Sequence, residues 1–136
     1  MNEKKINFFI STPEGVAFKQ NIEWCVLPAI DGEWAVKFGH APVVLLLGCG
    51  TLRIKADSWH YFHVKSGIAQ VGKDKINIIC DSAINASKFS KETLEHELSE
   101  LQGKSPETQE EKNKHNQLIQ EVKSKLHTLH QMQASA

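Results

Sequence analysis

The sequence predicts a mainly β protein with a helical tail. It reads as an N-terminal antiparallel β-sandwich of about ten strands over residues 1–85, then a C-terminal antiparallel two-helix hairpin over residues 86–136. Three observations predict this. Up to residue 85, apolar residues alternate or gather in short runs rich in Val, Ile, Phe and Trp. Gly, Pro, Asp and Asn punctuate those runs every few residues. Beyond residue 85 the turn residues thin out, and Glu, Lys, Leu, Gln and His take over at helical spacing.

Taken in order, strands are expected at Ile6–Ile10, Val16–Phe18, Ile22–Leu27, Glu33–Val36, Val43–Leu47, Thr51–Lys55, Trp59–Val64, Ile68–Val71 and Lys75–Cys80. The turns between them are Pro13-Glu14-Gly15, Asp31-Gly32, Gly48-Cys49-Gly50, Ala56-Asp57-Ser58 and Gly72-Lys73-Asp74. Asp57-Ser58 and Gly72-Lys73-Asp74 have the composition of hairpin connections. Along Trp59–Val64, Trp59, Tyr61 and His63 point one way while His60, Phe62 and Val64 point the other. Both faces are partly apolar, as in an inner strand covered on both sides.

In the helical tail, Phe89, Leu94, Leu98 and Leu101 follow a helical period, with Ser90 as N-cap and Gly103 as stop. Ser105-Pro106-Glu107 reads as a restart, with a capping Ser, Pro at the first helical position and an acid in the first turn. Ile119, Val122, Leu126, Leu129 and Met132 form the stripe of the second helix. The short link between the helices makes them antiparallel neighbours. Apart from Pro106, Gln102 to Gln117 is polar throughout, so the hairpin must borrow a surface, from the sandwich or from a partner. The stripe is therefore open to two readings, internal packing or partner contact.

Composition narrows the function. Sixteen basic and sixteen acidic residues cancel, against the basic excess of a nucleic-acid binder. No apolar run approaches the ~20 residues of a membrane span, and the N-terminus lacks the apolar core of a signal peptide, so a soluble chain is expected. Three widely spaced cysteines, Cys25, Cys49 and Cys80, suit buried free thiols in a reducing compartment better than disulfides.

Nothing in the sequence assembles a catalytic site. Neither GxxxxGK[ST] nor GxGxxG is present, and Gly48-Cys49-Gly50 leads into a strand, which favours a turn over a phosphate cradle. His96, His115, His127 and His130 fall on the polar helices; His127 and His130, at i and i+3, suit metal chelation but have no third ligand near in sequence. His60 and His63 are expected on strand surfaces. No GxSxG elbow occurs, and no carboxylate pair stands out as acid and base.

Three segments carry a family resemblance. They are Phe8 to Gly15 (FFISTPEG); Gly32 to Pro42 (GEWAVKFGHAP) with Gly50-Thr51-Leu52-Arg53-Ile54; and Ser66-Gly67-Ile68 with Val71 and Cys80-Asp81-Ser82-Ala83-Ile84. In order and spacing they resemble the epsilon subunit of F-type ATP synthases, the counterpart of the mitochondrial delta subunit. Gly39-His40-Ala41-Pro42 is the most specific of these stretches. Ala35 stands where the pattern has Gly, Phe38 where it has Pro, and Lys65-Ser66-Gly67 lacks its double glycine.

The resemblance implies a non-catalytic rotor component of the central stalk, on the cytoplasmic face of a bacterial inner membrane and peripheral to it through partners. It implies docking on the gamma subunit and the c ring, and a hairpin that folds on the sandwich or extends towards the alpha/beta head, restraining ATP hydrolysis. Asp31, Gly32 and Glu33 match the loop that the family presents to the c ring; Gly39, His40, Ala41 and Pro42 match a neighbouring turn, where Gly39 and Pro42 also read as mere turn formers. Leu94, Leu98, Leu101, Ile119, Val122, Leu126 and Leu129 are the matching helix faces. Some members bind ATP on the hairpin through a motif with Asp-x-x-Arg-Ala. Here Ser90-Lys91-Glu92-Thr93-Leu94 has neither Asp nor Arg in place, so no cofactor is expected. The rival classes are a free-standing sandwich adaptor and a small metal- or nucleotide-dependent enzyme.

Overall fold

A computed structural model describes residues 4–134; the outermost positions of the two predicted segments, 1–3 and 135–136, lie outside the described residues. Its strands are β1 (Ile6–Thr12), β2 (Gly15–Ile22), β3 (Trp24–Ala29), β4 (Gly32–Lys37), β5 (Val43–Leu47), β6 (Gly50–Lys55), β7 (Trp59–Val71) and β8 (Lys75–Asn85). A 3-10 turn at Ala86–Lys88 leads into α1 (Lys91–Gln102) and α2 (Gln109–Ala134).

The β domain has eight strands, fewer than the sequence suggests. The reason lies in β7, which fuses two predicted strands. Ser66, with φ 46°, carries the chain through the expected break, and Gly67 continues the ladder opposite Cys80. No other residue fits at Gly67, because an added Cβ would lie 2.8 Å from the Cys80 Cα and collide with the Ile79 carbonyl. The predicted run Ile22–Leu27 is instead cut at Glu23, where the chain leaves β2 for β3 and the Glu23 N–H donates to the Lys55 carbonyl at 2.8 Å.

The strands run in the order β2-β1-β8-β7-β5-β3-β4, with β6 bonded to both β3 and β7. Not every pair is antiparallel as expected: β1 runs parallel to β8, Phe8 opposite Ile76 and Ile10 opposite Ile78. The long β7 serves both layers, pairing with β6 through Trp59–Val64 and with β5 through its second half. Alternate residues turn inward to one core that includes Phe8, Ile10, Ile22, Leu27, Leu52, Ile54, Val64, Ile76 and Ile78, all fully buried. Cys25 lies in it, and burial pushes its thiol up to about 12. Cys80 is buried too, whereas Cys49 is exposed, contrary to the expectation of three buried thiols.

Ser90 caps α1 by accepting the Thr93 N–H at 3.4 Å, and Gly103 ends it, as the sequence suggests. The start of α2 differs. It falls at Gln109, not at Pro106, because Thr108 accepts the Glu111 N–H at 3.1 Å while the Glu111 carboxylate accepts the Glu107 N–H. Thr108-Gln109-Glu110-Glu111 is a capping-box pattern, a stronger start signal than Ser-Pro.

Leu94, Val122 and Leu129 are buried together, with Phe89, Leu98, Leu101, Leu126 and Met132 packed around them. Ile119 is only half-buried. This cluster contains hairpin residues alone, apart from Phe89 just before α1, and stands separate from the sandwich core.

Candidate functional site

Two surfaces gather the functional candidates. The first flanks β4. Before it, Ile30 and Asp31 form the β3–β4 turn, Gly32 opens the strand with φ 127°, and exposed Glu33 follows. After it comes a turn in which the His40 N–H donates to the Lys37 carbonyl at 3.3 Å. Gly39 has φ 88° there and donates its N–H to the Lys73 carbonyl at 2.7 Å, so it is required as a turn former. Ala41 and Pro42 are exposed.

Trp34 joins the two clusters, a role invisible in the sequence pattern. Its Nε1–H donates to the Asp31 carboxylate at 3.1 Å, and its ring lies 6.3 Å from that of His40. The His40 Nδ1 contacts the Ala41 carbonyl at 2.6 Å, and His40 is half-buried. Glu33 stays at the surface, reaching across β3 to the Arg53 guanidinium at 3.4 Å. The site therefore presents an exposed acid paired with Arg53, a braced indole and shaped turns.

Beside it, the outer face of β5, β7 and β8 exposes an apolar row. Leu46 pairs with Ile68 and Ile68 with Ile79 across the three strands. Val44 and Leu46 are more than half exposed and Ile79 is half exposed. Ile30, 67% exposed, adjoins the row through its N–H to the Leu46 carbonyl. Isolated exposed aliphatics are ordinary; these lie side by side across three strands.

The second surface is the seam where α2 lies on β6 and β7. Thr51 and His63, opposite each other in the ladder, face outward under the helix and are buried by it. Thr51 Oγ1 meets Thr128 Oγ1 at 2.7 Å, and Thr128 Oγ1 donates to the Ser124 carbonyl at 3.1 Å. His63 Nε2 lies 3.0 Å from Ser124 Oγ and 3.3 Å from Cys49 Sγ. Lys65 binds Glu121 at 3.2 Å. His63 is thus not the strand-surface residue expected from the sequence. It is 1% exposed, and burial, reinforced by the Lys125 and Lys65 charges against the opposing Glu121, lowers its pKa to about 4. The missed signal was Ser124 and Thr128 at i, i+4 beside the apolar stripe of α2.

His127 and His130 are exposed on α2, and His60 packs its ring 5.3 Å from Phe18. Among the described residues no three His, Cys, Asp or Glu side chains converge as a metal site. Gly48-Cys49-Gly50 turns β5 into β6.

Comparison with known proteins sets these surfaces in context. The profile of the family described as ATP synthase, Delta/Epsilon chain, beta-sandwich domain matches residues 5–86. The ATP synthase epsilon chain of Rickettsia bellii is 33% identical over 101 residues, covering 71% of this chain and 94% of that one. The epsilon chain of Caldicellulosiruptor bescii is 41% identical over 71 residues, 52% of each. In three dimensions the chain resembles a subunit in the mitochondrial ATP synthase of Euglena gracilis, solved as its OSCP/F1/c-ring, at TM-score 0.72 and 17% identity over 97% of this chain and 81% of that one. It also resembles one in the central stalk and c-ring of the Tetrahymena thermophila enzyme, at TM-score 0.58 and 12% identity over 97% and 98%. Those two likenesses speak to the fold; the family profile and the Rickettsia relative establish kinship. The chain belongs to the delta/epsilon family of ATP synthase subunits.

Proposed function

We propose that this chain is a non-catalytic rotor subunit of the central stalk of an F-type ATP synthase. Its sandwich docks on the gamma subunit and the c ring, and its hairpin restrains ATP hydrolysis when it leaves the sandwich for the alpha/beta head. The observation that carries this reading is the division of the apolar interior into two. The hairpin keeps its own cluster around Leu94, Val122 and Leu129, while its hold on the sandwich runs through hydroxyls, an imidazole and an ion pair. Polar contacts exchange for water at small net cost, near 1 kcal/mol each, so the hairpin can move as a body.

Docking is supported by the exposed row Val44, Leu46, Ile68 and Ile79, which offers the sandwich a flat apolar face for gamma, and by Glu33 beside the braced Trp34 for the polar loops of the c ring. In this reading the chain is attached to the membrane through those partners, on the cytoplasmic face of a bacterial inner membrane; among the described residues no helix is long and apolar enough to cross a bilayer. The test is affinity isolation of tagged chain from gently solubilised membranes. Gamma and c subunits should co-purify; a different set of partners rejects the assignment in favour of a free-standing adaptor.

A further inference from the structure

The seam between the sandwich and α2 is centred on a buried titratable group. His63 Nε2 is engaged by Ser124 Oγ and Cys49 Sγ, whereas His63 Nδ1 is buried with no hydrogen-bond partner among the described residues. A neutral imidazole tolerates this, with its Nδ1 lone pair idle. Imidazolium does not, because protonation converts Nδ1 into a buried charged donor with nothing to accept it.

The surrounding charges add to the difficulty. From β7 comes Lys65; from α2 come Glu121 and Lys125. Glu121 is the one acid of the group, and it already serves Lys65 at 3.2 Å and Lys125 at 4.0 Å. From β6, Thr51 is neutral and Arg53, two positions along on the same face, is paired with Glu33. Cys49 supplies a thiol from the β5–β6 turn, and Phe89 a ring 6.4 Å from the imidazole. A proton arriving at His63 therefore meets two cations, one committed carboxylate and an unanswered N–H.

We propose that His63 is a pH-sensitive latch for the hairpin: protonating its imidazole opens the seam and frees α2, while the sandwich stays folded. This rests on the reading of the hairpin as a movable regulatory element. Docked, the imidazole is held near pKa 4; released, it returns to its ordinary 6.5. Between those values the released state binds the extra proton, so docking is at full strength above pH 6.5 and weakens as pH falls, reaching its floor below pH 4. The same two values give about a tenfold weaker docking equilibrium at pH 5.5 than at pH 7.5.

The test is amide hydrogen exchange on the isolated full chain, corrected for the intrinsic pH dependence of exchange. Protection of α2 amides should fall about tenfold from pH 7.5 to 5.5, with β1 and β8 unchanged. In His63→Gln, which keeps a partner for Ser124 but cannot titrate, the fall should vanish. A wild-type α2 indifferent to pH, or a His63→Gln chain with the same fall, overturns the latch. If His63→Gln cannot dock at all, NMR titration of the wild-type imidazole decides. It should stay unprotonated below pH 5 while α2 is protected, and ordinary titration near 6.5 in docked protein overturns the idea. The experiment needs no gamma or c subunits. A chain that joins them yet shows no pH response refutes the latch alone, and a pH-responsive chain that ignores them refutes the rotor assignment alone.

Discussion

The Thr51–Thr128 contact gives the sharpest test of a polar seam, because its hydrogen bonds have a direction. Thr128 Oγ1 donates to the Ser124 carbonyl, so its own oxygen is left to accept from Thr51. The relay runs from Thr51 through Thr128 into the helix backbone. Both residues are buried, at 6% and 0% exposure, so water cannot replace a lost partner. Thr128→Val removes the acceptor and strands the Thr51 hydroxyl, at a cost of about 1–3 kcal/mol. Thr51→Val leaves Thr128 still donating to Ser124 and forfeits only a lone pair, for about 0.5–1 kcal/mol. The double variant buries two methyl-bearing side chains of matching shape, with no stranded group, and should lie close to wild type. The cycle therefore predicts strong non-additivity, with Thr51→Val rescuing Thr128→Val. Exchange protection of α2 at pH 7.5 reads it directly, each 1.4 kcal/mol being a factor of ten. Equal single effects that sum in the double variant refute the relay and, with it, the account of the seam as directed hydrogen bonds.

Three further outcomes are expected. Gly67→Ala forces a Cβ into the β8 backbone beside Cys80 and should cost the sandwich about 3 kcal/mol, lowering Tm by at least about 10 °C in calorimetry; a shift under about 2 °C removes the close-approach argument. Glu33→Lys gives up an exposed pair with Arg53 worth at most about 1 kcal/mol, so the fold should persist while co-purification with the c ring drops; unchanged recovery argues against Glu33 as a contact. ATP titrated into the isolated chain should show no high-affinity binding by calorimetry, since the first turn of α1 offers Ser90, Lys91 and Glu92 in place of the Asp and Arg of ATP-binding members; micromolar affinity defeats that expectation.

The β domain was legible because its signals are local. Alternation across Trp59–Val64 sets Phe62 and Val64 on one side of the strand, the side that meets the core, and the turn residues place nearly every hairpin. What escaped is decided by distant partners. The fusion of β7 depends on β8 lying opposite Gly67, which no window around Ser66 contains. The parallel pairing of β1 with β8 joins the two ends of the sandwich sequence, beyond the reach of hairpin logic. Glu33 is exposed although it lies in β4; His40 is half-buried, its Nδ1 against the Ala41 carbonyl and its ring beside Trp34. His63 shows the limit most clearly. Periodicity set it on the side of its strand opposite Phe62 and Val64, and that side then proved to be covered by a helix 61 residues further along the chain.

That covering explains why the hairpin and the sandwich are built so differently. The sandwich is sealed by large aliphatics and Phe8, whose exposure would cost about 1.5–3 kcal/mol apiece, so its strands cannot separate singly. Were α2 pinned by similar residues, release would expose them and the hairpin would be fixed. Instead its buried apolar residues cluster with α1, and in the proposed release what would separate at the seam is Thr51 from Thr128, His63 from Ser124 and Lys65 from Glu121. Each of those groups finds water or a new polar partner on departure. Burial makes the seam specific, since misplaced hydroxyls and charges are penalised there; polarity makes it reversible. On the function proposed above, a rotor subunit holding its place on the shaft while one arm moves would need both kinds of interior in one chain.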